Sequence, residues 1–123
     1  MNVVRILFVC VGNTCRSQMA EALAKDLGHY SESAGTHPGK RVAGNAISAI
    51  EELGISMDGQ FPKSIGDIDE SQFDLIISMG CGVVCPDLPI DEDWGLDDPV
   101  GGSIEAYRKT RDIIRSRLSD LSN

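Results

Sequence analysis

The chain has 123 residues, of which 19 are Asp or Glu and 11 are Lys or Arg, so its formal net charge is −8. A single domain over residues 1–123 is expected, because a chain of this length builds one core. Its hydrophobic fraction of 41% supplies that core and excludes a disordered tail. The acidic balance argues against nucleic acid as a partner. Because no apolar stretch reaches membrane-spanning length and no signal-peptide cleavage site is present, we expect a cytoplasmic protein without membrane contact.

The first third of the chain predicts a strand, a helix and a second strand. The β-branched and aromatic residues of Val3–Val9 predict a buried strand. Apolar residues spaced four apart between Met19 and Leu27 predict a helix that Gly28 ends. A short second strand is expected within Ser31–Thr36, followed by a glycine-rich loop.

The rest of the chain continues this alternation. The apolar stripe of Ala46–Leu53 predicts a second helix, and Phe73–Met79 predicts a strand that is covered on both faces. A loop is expected from Gly80 to Gly102 with a brief strand around Trp94, and a last helix over Ser103–Leu121. The predicted fold is an α/β, doubly wound, four-stranded parallel sheet flanked by helices, with ligands at the carboxyl ends of its strands.

The segment between the first strand and the first helix is the most informative. It places Cys10 at the carboxyl end of a strand and Arg16 where a helix begins. The residues between them can turn successive N–H groups toward a tetrahedral anion, and Arg16 can grip two of its oxygens. Gly12 and Asn13 tolerate the left-handed dihedrals that such a loop needs, and Ser17 can donate to the sulfur. We therefore predict an oxyanion site in which Cys10 is a thiolate nucleophile. Its oxyanion-binding residues are Val11, Gly12, Asn13, Thr14, Cys15, Arg16 and Ser17.

A longer stretch of sequence resembles a known family. The residues Val9-Cys10-Val11-Gly12-Asn13-Thr14-Cys15-Arg16-Ser17-Gln18-Met19-Ala20-Glu21 resemble the signature of the low-molecular-weight protein tyrosine phosphatases, in the version carried by thioredoxin-coupled arsenate reductases. Ser33–Thr36 and Trp94–Pro99 also match that family. The resemblance spans nearly the whole chain in the right order. It implies chemistry carried by thiols, for which no cofactor and no metal are expected.

The resemblance assigns the general acid to Asp98 of the Asp98–Pro99 pair. Displacing an oxygen from arsenate or phosphate requires a proton for the leaving group, which a carboxylic acid supplies. An Asp-Pro pair is also a common turn opener. Asp97 is the neighbouring carboxylate that is most easily mistaken for the acid.

A relay of three thiols is the mechanism that the resemblance implies. Cys10 attacks arsenate, and Cys81 then attacks the Cys10 sulfur so that arsenite leaves. Cys85 attacks Cys81, which frees Cys10 and leaves a Cys81–Cys85 disulfide for a thioredoxin-like protein to reduce. Glutaredoxin and small thiols would meet the same disulfide. Only three residues separate Cys81 from Cys85, which is a shorter spacing than the family usually has.

Two other functions stay open. A low-molecular-weight phosphatase would hydrolyse phosphate monoesters through a Cys10 thiophosphate. Against it, Val100 follows Asp98–Pro99 where such phosphatases often carry an aromatic residue, and Gln18 stands where they often have proline. A binding module would hold zinc or arsenite between the cysteines, but the spacing of Cys10 and Cys15 is too wide for a paired zinc site.

Three further expectations concern residues around the loop. Cys15 either packs behind the loop, which we favour, or forms a protective disulfide with Cys10. Some reductases of this type hold a monovalent cation near the loop, and Lys63 lies about where one carboxylate ligand would be, so its ammonium group is expected to replace the ion. His29 and His37 are expected at the surface or in loops, without a catalytic role.

Overall fold

The computed structural model describes residues 4–80 and 89–121 and shows alternating strands and helices. In chain order the elements are β1 (Arg5–Cys10), α1 (Arg16–Asp26), β2 (Tyr30–Gly35), α2 (Gly44–Glu51), β3 (Leu75–Ser78), β4 (Glu92–Asp93) and α3 (Ile104–Leu121). Their ends lie within three residues of the predicted ones, and the end of α3 coincides with its prediction. Two 3-10 turns at Ile65–Asp67 and Glu70–Gln72 were not predicted.

All pairs in the sheet are parallel, and the strand order is β2-β1-β3-β4. This arrangement confirms the predicted α/β class with a four-stranded parallel sheet. β1 lies inside the sheet, and its last residue, Cys10, stands opposite Gly35 at the end of β2. Because the carboxyl ends of parallel strands share one edge, the loop that follows Cys10 emerges at the edge where this class of fold binds ligands.

The side chains of β1 alternate between two apolar clusters. Ile6 and Phe8 point into a larger cluster that buries residues of all three α-helices. Leu7 and Val9 point to the opposite face, where apolar residues of β2, β3 and the segments around them cover them: Ala34, Ile65, Ile68, Phe73, Ile76 and Ile90. Burial on both faces explains why the strand reads as an uninterrupted apolar run. Trp94 is 4% exposed and its ring centroid lies 5.9 Å from that of Phe8, so it packs in the core.

His29 lies in a loop, as expected, in the connection between α1 and β2, where it is 6% exposed. Its Nδ1 accepts a hydrogen bond from the Val4 N–H at 3.2 Å, so the side chain fastens the start of β1. Within residues 4–80 and 89–121, no helix is long and apolar enough to cross a membrane.

Candidate active site

The loop formed by residues 11–15 turns its carbonyl groups away from Cys10. The carbonyls of Cys10, Val11, Gly12 and Thr14 accept hydrogen bonds of 2.8–3.1 Å from the backbone N–H groups of Thr36, His37, Gly39 and Ala43. In a trans peptide the N–H points opposite to the C=O, and none of the described peptide bonds is cis. The N–H groups of the loop therefore face the other way, and that of Asn13 donates to Cys10 Sγ at 3.1 Å. A ring of inward N–H groups of this kind is an anion-binding cradle.

Two donors converge on the sulfur of Cys10. Besides the Asn13 N–H, the Ser17 hydroxyl lies 2.9 Å from Cys10 Sγ. Asn13 Nδ2 donates to Ser17 Oγ at 2.7 Å, which leaves the hydroxyl hydrogen for the sulfur. Hydrogen bonds from two donors suit a thiolate, which only accepts. The contact that was expected between Ser17 and Cys10 is therefore present.

Asn13 adopts the left-handed conformation that the loop needs. Its φ is 53° and its side chain is fully buried. Of the two residues that were expected to tolerate this conformation, Asn13 adopts it, and Gly12 is not among the described residues with positive φ. Asparagine tolerates this region because its short polar side chain bonds locally. The Asn13 Oδ1 accepts from the Lys63 N–H at 2.8 Å and from Gln18 Nε2 at 3.1 Å.

Gly35 lets the loop lie close against the end of β2. A Cβ atom at this position would stand 2.5 Å from the Val11 carbonyl oxygen and 3.0 Å from Asn13 Cβ. The first distance is far inside van der Waals contact, so a side chain here would move the loop. In the sequence, Gly35 belongs to the Ser33–Thr36 motif, in which no pattern of residues indicates this close approach.

Arg16 is the first residue of α1 and is 6% exposed. Its Nη1 donates to the carbonyl oxygens of Met79 and Leu96, each at 3.0 Å, and Gly80 makes room for it. Its Nη2 lies 3.6 Å from Asp98 Oδ2. In the described part of the chain, Arg16 Nε is the one buried side-chain nitrogen or oxygen without a hydrogen-bond partner. A buried donor is rarely left without a partner. An oxygen of a bound anion would be a partner for this N–H.

Asp98 stands at the rim of the loop, where its side chain is half exposed. Its Oδ1 accepts from the Val100 N–H at 3.0 Å and from the Cys15 thiol at 3.4 Å. Burial, followed by the charge of Asp98, raises the pKa of Cys15 to about 12. Cys15 is therefore a protonated thiol that packs behind the loop and donates to the carboxylate. Asp97 is exposed beside it.

The comparison with known proteins assigns the chain to a family. Residues 5–84 match the family described as low molecular weight phosphotyrosine protein phosphatase. The chain belongs to this family. A protein of Synechocystis sp. named glutaredoxin arsenate reductase is 41% identical over an alignment of 130 positions that covers 95% of each chain.

Solved structures of similar proteins include both reductases and phosphatases. An arsenate reductase in its phosphate-binding state superposes with a TM-score of 0.88 at 39% identity, covering 97% of this chain and 96% of its own. The YwlE arginine phosphatase from Geobacillus stearothermophilus superposes with a TM-score of 0.83 at 29% identity, covering 96% and 90%. The phosphatase family fold therefore occurs with both activities.

Glu21 and Lys63 form a buried ion pair beside the loop of this family member. Lys63 Nζ lies 3.7 Å from Glu21 Oε1, and the two side chains are 14% and 4% exposed. Glu21 Oε1 also accepts from the Ser33 hydroxyl at 2.7 Å. Glu21 bonds to β2 and to Lys63, whose N–H in turn holds Asn13. That the ammonium replaces a cation stays a prediction, which is tested by whether potassium changes oxyanion affinity.

The two remaining predicted site residues, Cys81 and Cys85, lie outside the described residues. Their contribution to the relay therefore rests on the sequence. In residues 4–80 and 89–121, no three His, Cys, Asp or Glu side chains are grouped so that they could hold a metal ion. The chemistry that the described site can perform is attack by a hydrogen-bonded sulfur on a tetrahedral oxyanion.

Proposed function

We propose that this chain reduces arsenate to arsenite by a cysteine relay that begins at Cys10. The observation that carries the proposal is the surroundings of Cys10 Sγ, where the Asn13 N–H lies at 3.1 Å and the Ser17 hydroxyl at 2.9 Å. Arg16, with its unpaired Nε, completes the group. The identity of 41% to a protein named arsenate reductase, over 95% of the chain, supports arsenate as the oxyanion.

In the first step the Cys10 sulfur attacks arsenic and an As–O bond breaks. Asp98, in its protonated form, gives its proton to the departing hydroxyl group, which leaves as water. The inward N–H groups and the Arg16 guanidinium stabilise the negative charge of the remaining oxygens, an effect that grows in a site with little water. Arg16 Nη2, 3.6 Å from Asp98 Oδ2, keeps the carboxyl group beside the cradle.

The second step transfers the electrons. The Cys81 sulfur attacks Cys10 Sγ, the S–As bond breaks, and its electron pair stays on arsenic. Arsenic thereby passes from As(V) to As(III) and leaves as arsenite, while a Cys10–Cys81 disulfide forms. Cys85 then attacks Cys81, which frees the Cys10 thiolate and leaves a Cys81–Cys85 disulfide. A thioredoxin-type dithiol protein reduces this disulfide by thiol exchange.

We also propose that the chain is one domain over residues 1–123 and that it acts in the cytoplasm. Its turnover depends on thiols that must be reduced again after each cycle, and that compartment keeps thiols reduced. No part of the cycle requires a cofactor.

Slow phosphatase activity is the second candidate function. Its support is the likeness to the arginine phosphatase, whose TM-score is 0.83. Attack of Cys10 on a phosphate ester would form a thiophosphate that water hydrolyses, so Cys81 and Cys85 would not be needed. Val100, 56% exposed after Asp98–Pro99, offers a small aliphatic surface to an ester group. We therefore expect only weak hydrolysis of aromatic phosphate esters.

Arsenate-dependent NADPH consumption tests the proposal. The protein is assayed with thioredoxin and thioredoxin reductase and, separately, with glutathione, glutaredoxin and glutathione reductase, since the Synechocystis relative is named for glutaredoxin. Turnover with thioredoxin that Cys10→Ser, Cys81→Ser and Cys85→Ser each abolish supports the full proposal. Turnover with the glutaredoxin system but not with the thioredoxin system would show that glutaredoxin is the reductant and that the proposal of thioredoxin is wrong. If both systems are inert while p-nitrophenyl phosphate is hydrolysed with only Cys10 essential, the reductase proposal is wrong.

A further inference from the structure

Two glutamine side chains connect the oxyanion loop to the segment of residues 60–63. Gln18 is fully buried, and its Nε2 donates to Asn13 O at 3.0 Å, to Asn13 Oδ1 at 3.1 Å and to Phe61 O at 3.0 Å. Gln60 Nε2 donates in turn to Gln18 Oε1 at 2.8 Å and to Gln18 O at 3.0 Å. A continuous series of hydrogen bonds therefore runs from Gln60 through Gln18 and Asn13 to Ser17.

The orientation of the Gln18 amide is fixed by this series. Its Oε1 accepts from the Gln60 amide, so its NH₂ group must face Asn13 and Phe61. A flipped amide would place Oε1 against three acceptor oxygens and leave the Gln60 donor opposite another donor. Gln60 thus holds Gln18 in the one orientation that serves Asn13.

Asn13 depends on these contacts because its backbone is in a conformation that non-glycine residues rarely adopt. With φ at 53°, it persists only where the surroundings determine it strongly. Gln18 supplies hydrogen bonds to both of its oxygens, and the Lys63 N–H supplies another. Asn13 in turn provides the backbone N–H that faces Cys10 Sγ and the Nδ2 that orients Ser17.

We propose that Gln18 is a positioning residue for the chemistry of Cys10, and that Gln60 supports it by orienting its amide. Gln18 bonds to neither the sulfur nor Ser17; it acts by holding Asn13, and through Asn13 the two donors that face the sulfur. The proposal deepens the proposed function, since it rests on Cys10 as the nucleophile. Loss of the Gln18 amide would remove the donor that Gln18 supplies to the Asn13 carbonyl oxygen and would leave Asn13 Oδ1 with the Lys63 N–H alone, so that the loop would be released from its left-handed turn.

The test measures how readily the Cys10 sulfur reacts as a thiolate. In a Cys81→Ser, Cys85→Ser background, the rate of alkylation of Cys10 by iodoacetamide is followed by peptide mass spectrometry at about pH 6 and about pH 9. Gln18→Met keeps the size of the side chain and removes its amide. We expect Gln18→Met to lower the rate at about pH 6, divided by the rate at about pH 9, about tenfold, which is the effect of losing one hydrogen bond to a charged group. Gln60→Met should lower the ratio by less, and Gln72→Met, at an exposed glutamine, should leave it unchanged.

A double substitution shows whether the effect passes through Asn13. Glycine adopts a φ of 53° without strain, so Asn13→Gly retains the turn and removes the side chain. If Gln18 acts by holding the conformation and the side chain of Asn13, Gln18→Met should have a much smaller effect in the Asn13→Gly background. An undiminished effect there would overturn the proposal, as would a folded Gln18→Met variant whose rate ratio equals that of the parent protein.

The readout also separates this proposal from the proposed function. Alkylation of Cys10 does not require arsenate, Cys81 or a reductant, so the rate ratio can fall in Gln18→Met even if arsenate is not a substrate. If the protein reduces arsenate but Gln18→Met leaves the alkylation-rate ratio unchanged, the proposed role of Gln18 is refuted and the proposed function stands. If Gln18→Met does not fold, as judged by circular dichroism, Gln60→Met provides the test, because it leaves Gln18 in place. In that case an unchanged ratio in folded Gln60→Met would overturn the proposal.

Discussion

Gly35→Ala is expected to displace the oxyanion loop while the chain stays folded. The added Cβ would lie 2.5 Å from the Val11 carbonyl oxygen, and ordinary contact begins at 3.4 Å, so one of the two atoms must move by about 0.9 Å. The Val11 carbonyl also accepts from the His37 N–H at 2.8 Å, so moving it strains a second contact. The cost falls on the loop that carries the N–H groups around Cys10.

Two magnitudes follow from this geometry. Crowding of this kind typically destabilises a folded protein by about 1–3 kcal/mol, which lowers the urea midpoint without unfolding the chain. A misplacement of about 1 Å at a reacting group can cost about 100-fold in rate. We therefore expect Gly35→Ala to lose far more turnover than stability, and to lose the ability of phosphate to protect Cys10 from alkylation.

Gly44→Ala is the matched control because it adds the same methyl group elsewhere. Nothing lies within 4 Å of a Cβ at Gly44, which is the first residue of α2. Alanine favours a helix over glycine by up to about 1 kcal/mol, so this variant should be as stable as the parent protein or more stable, and fully active. If Gly35→Ala retains parental turnover and phosphate protection, the reasoning about close approach is wrong.

Three other perturbations probe the acid, the second thiol and an ion pair. Asp98→Asn should lower kcat for arsenate by about 100- to 10,000-fold, and by much less for an activated phosphate ester; equal losses would exclude proton donation. Iodoacetamide at neutral pH should modify Cys10 and spare Cys15, because burial raises the pKa of Cys15 to about 12; peptide mapping detects the contrary result. Hydrogen bonds from Arg108 and Arg111 lower the pKa of Glu52 to about 2. Its contribution to stability is therefore complete above pH 4.5 and lost as the pH falls toward 2, so Glu52→Gln should lower the Tm at neutral pH and not near pH 2.

The parts of the structure that follow local rules could be predicted from the sequence. The apolar run of β1 predicted a buried strand, and β1 is buried on both faces. Cys10, Gly12 and Arg16 predicted an oxyanion loop because the residues that form such a loop lie only a few positions apart in the sequence. The short distance between Ser17 and Cys10 also follows from this local geometry.

The remaining parts depend on contacts between distant segments. The left-handed residue is Asn13 rather than Gly12 because Gln18 and Lys63 fix the Asn13 side chain, and the contact with Lys63 spans 50 residues. The importance of Gly35 comes from the packing of β2 against the loop, which no residue pattern within either segment reveals. The burial of His29 could not be predicted from its loop position, because it depends on a contact with Val4, which is 25 residues away in the sequence.

A single-turnover experiment tests the central claim most directly. Fully reduced protein is mixed with arsenate in the absence of any reductant, and arsenite, free thiols and disulfides are measured. The proposed relay predicts one arsenite per chain, the loss of two thiols, and a Cys81–Cys85 disulfide with Cys10 free. Absence of arsenite, or arsenite formed without loss of thiols, would contradict it.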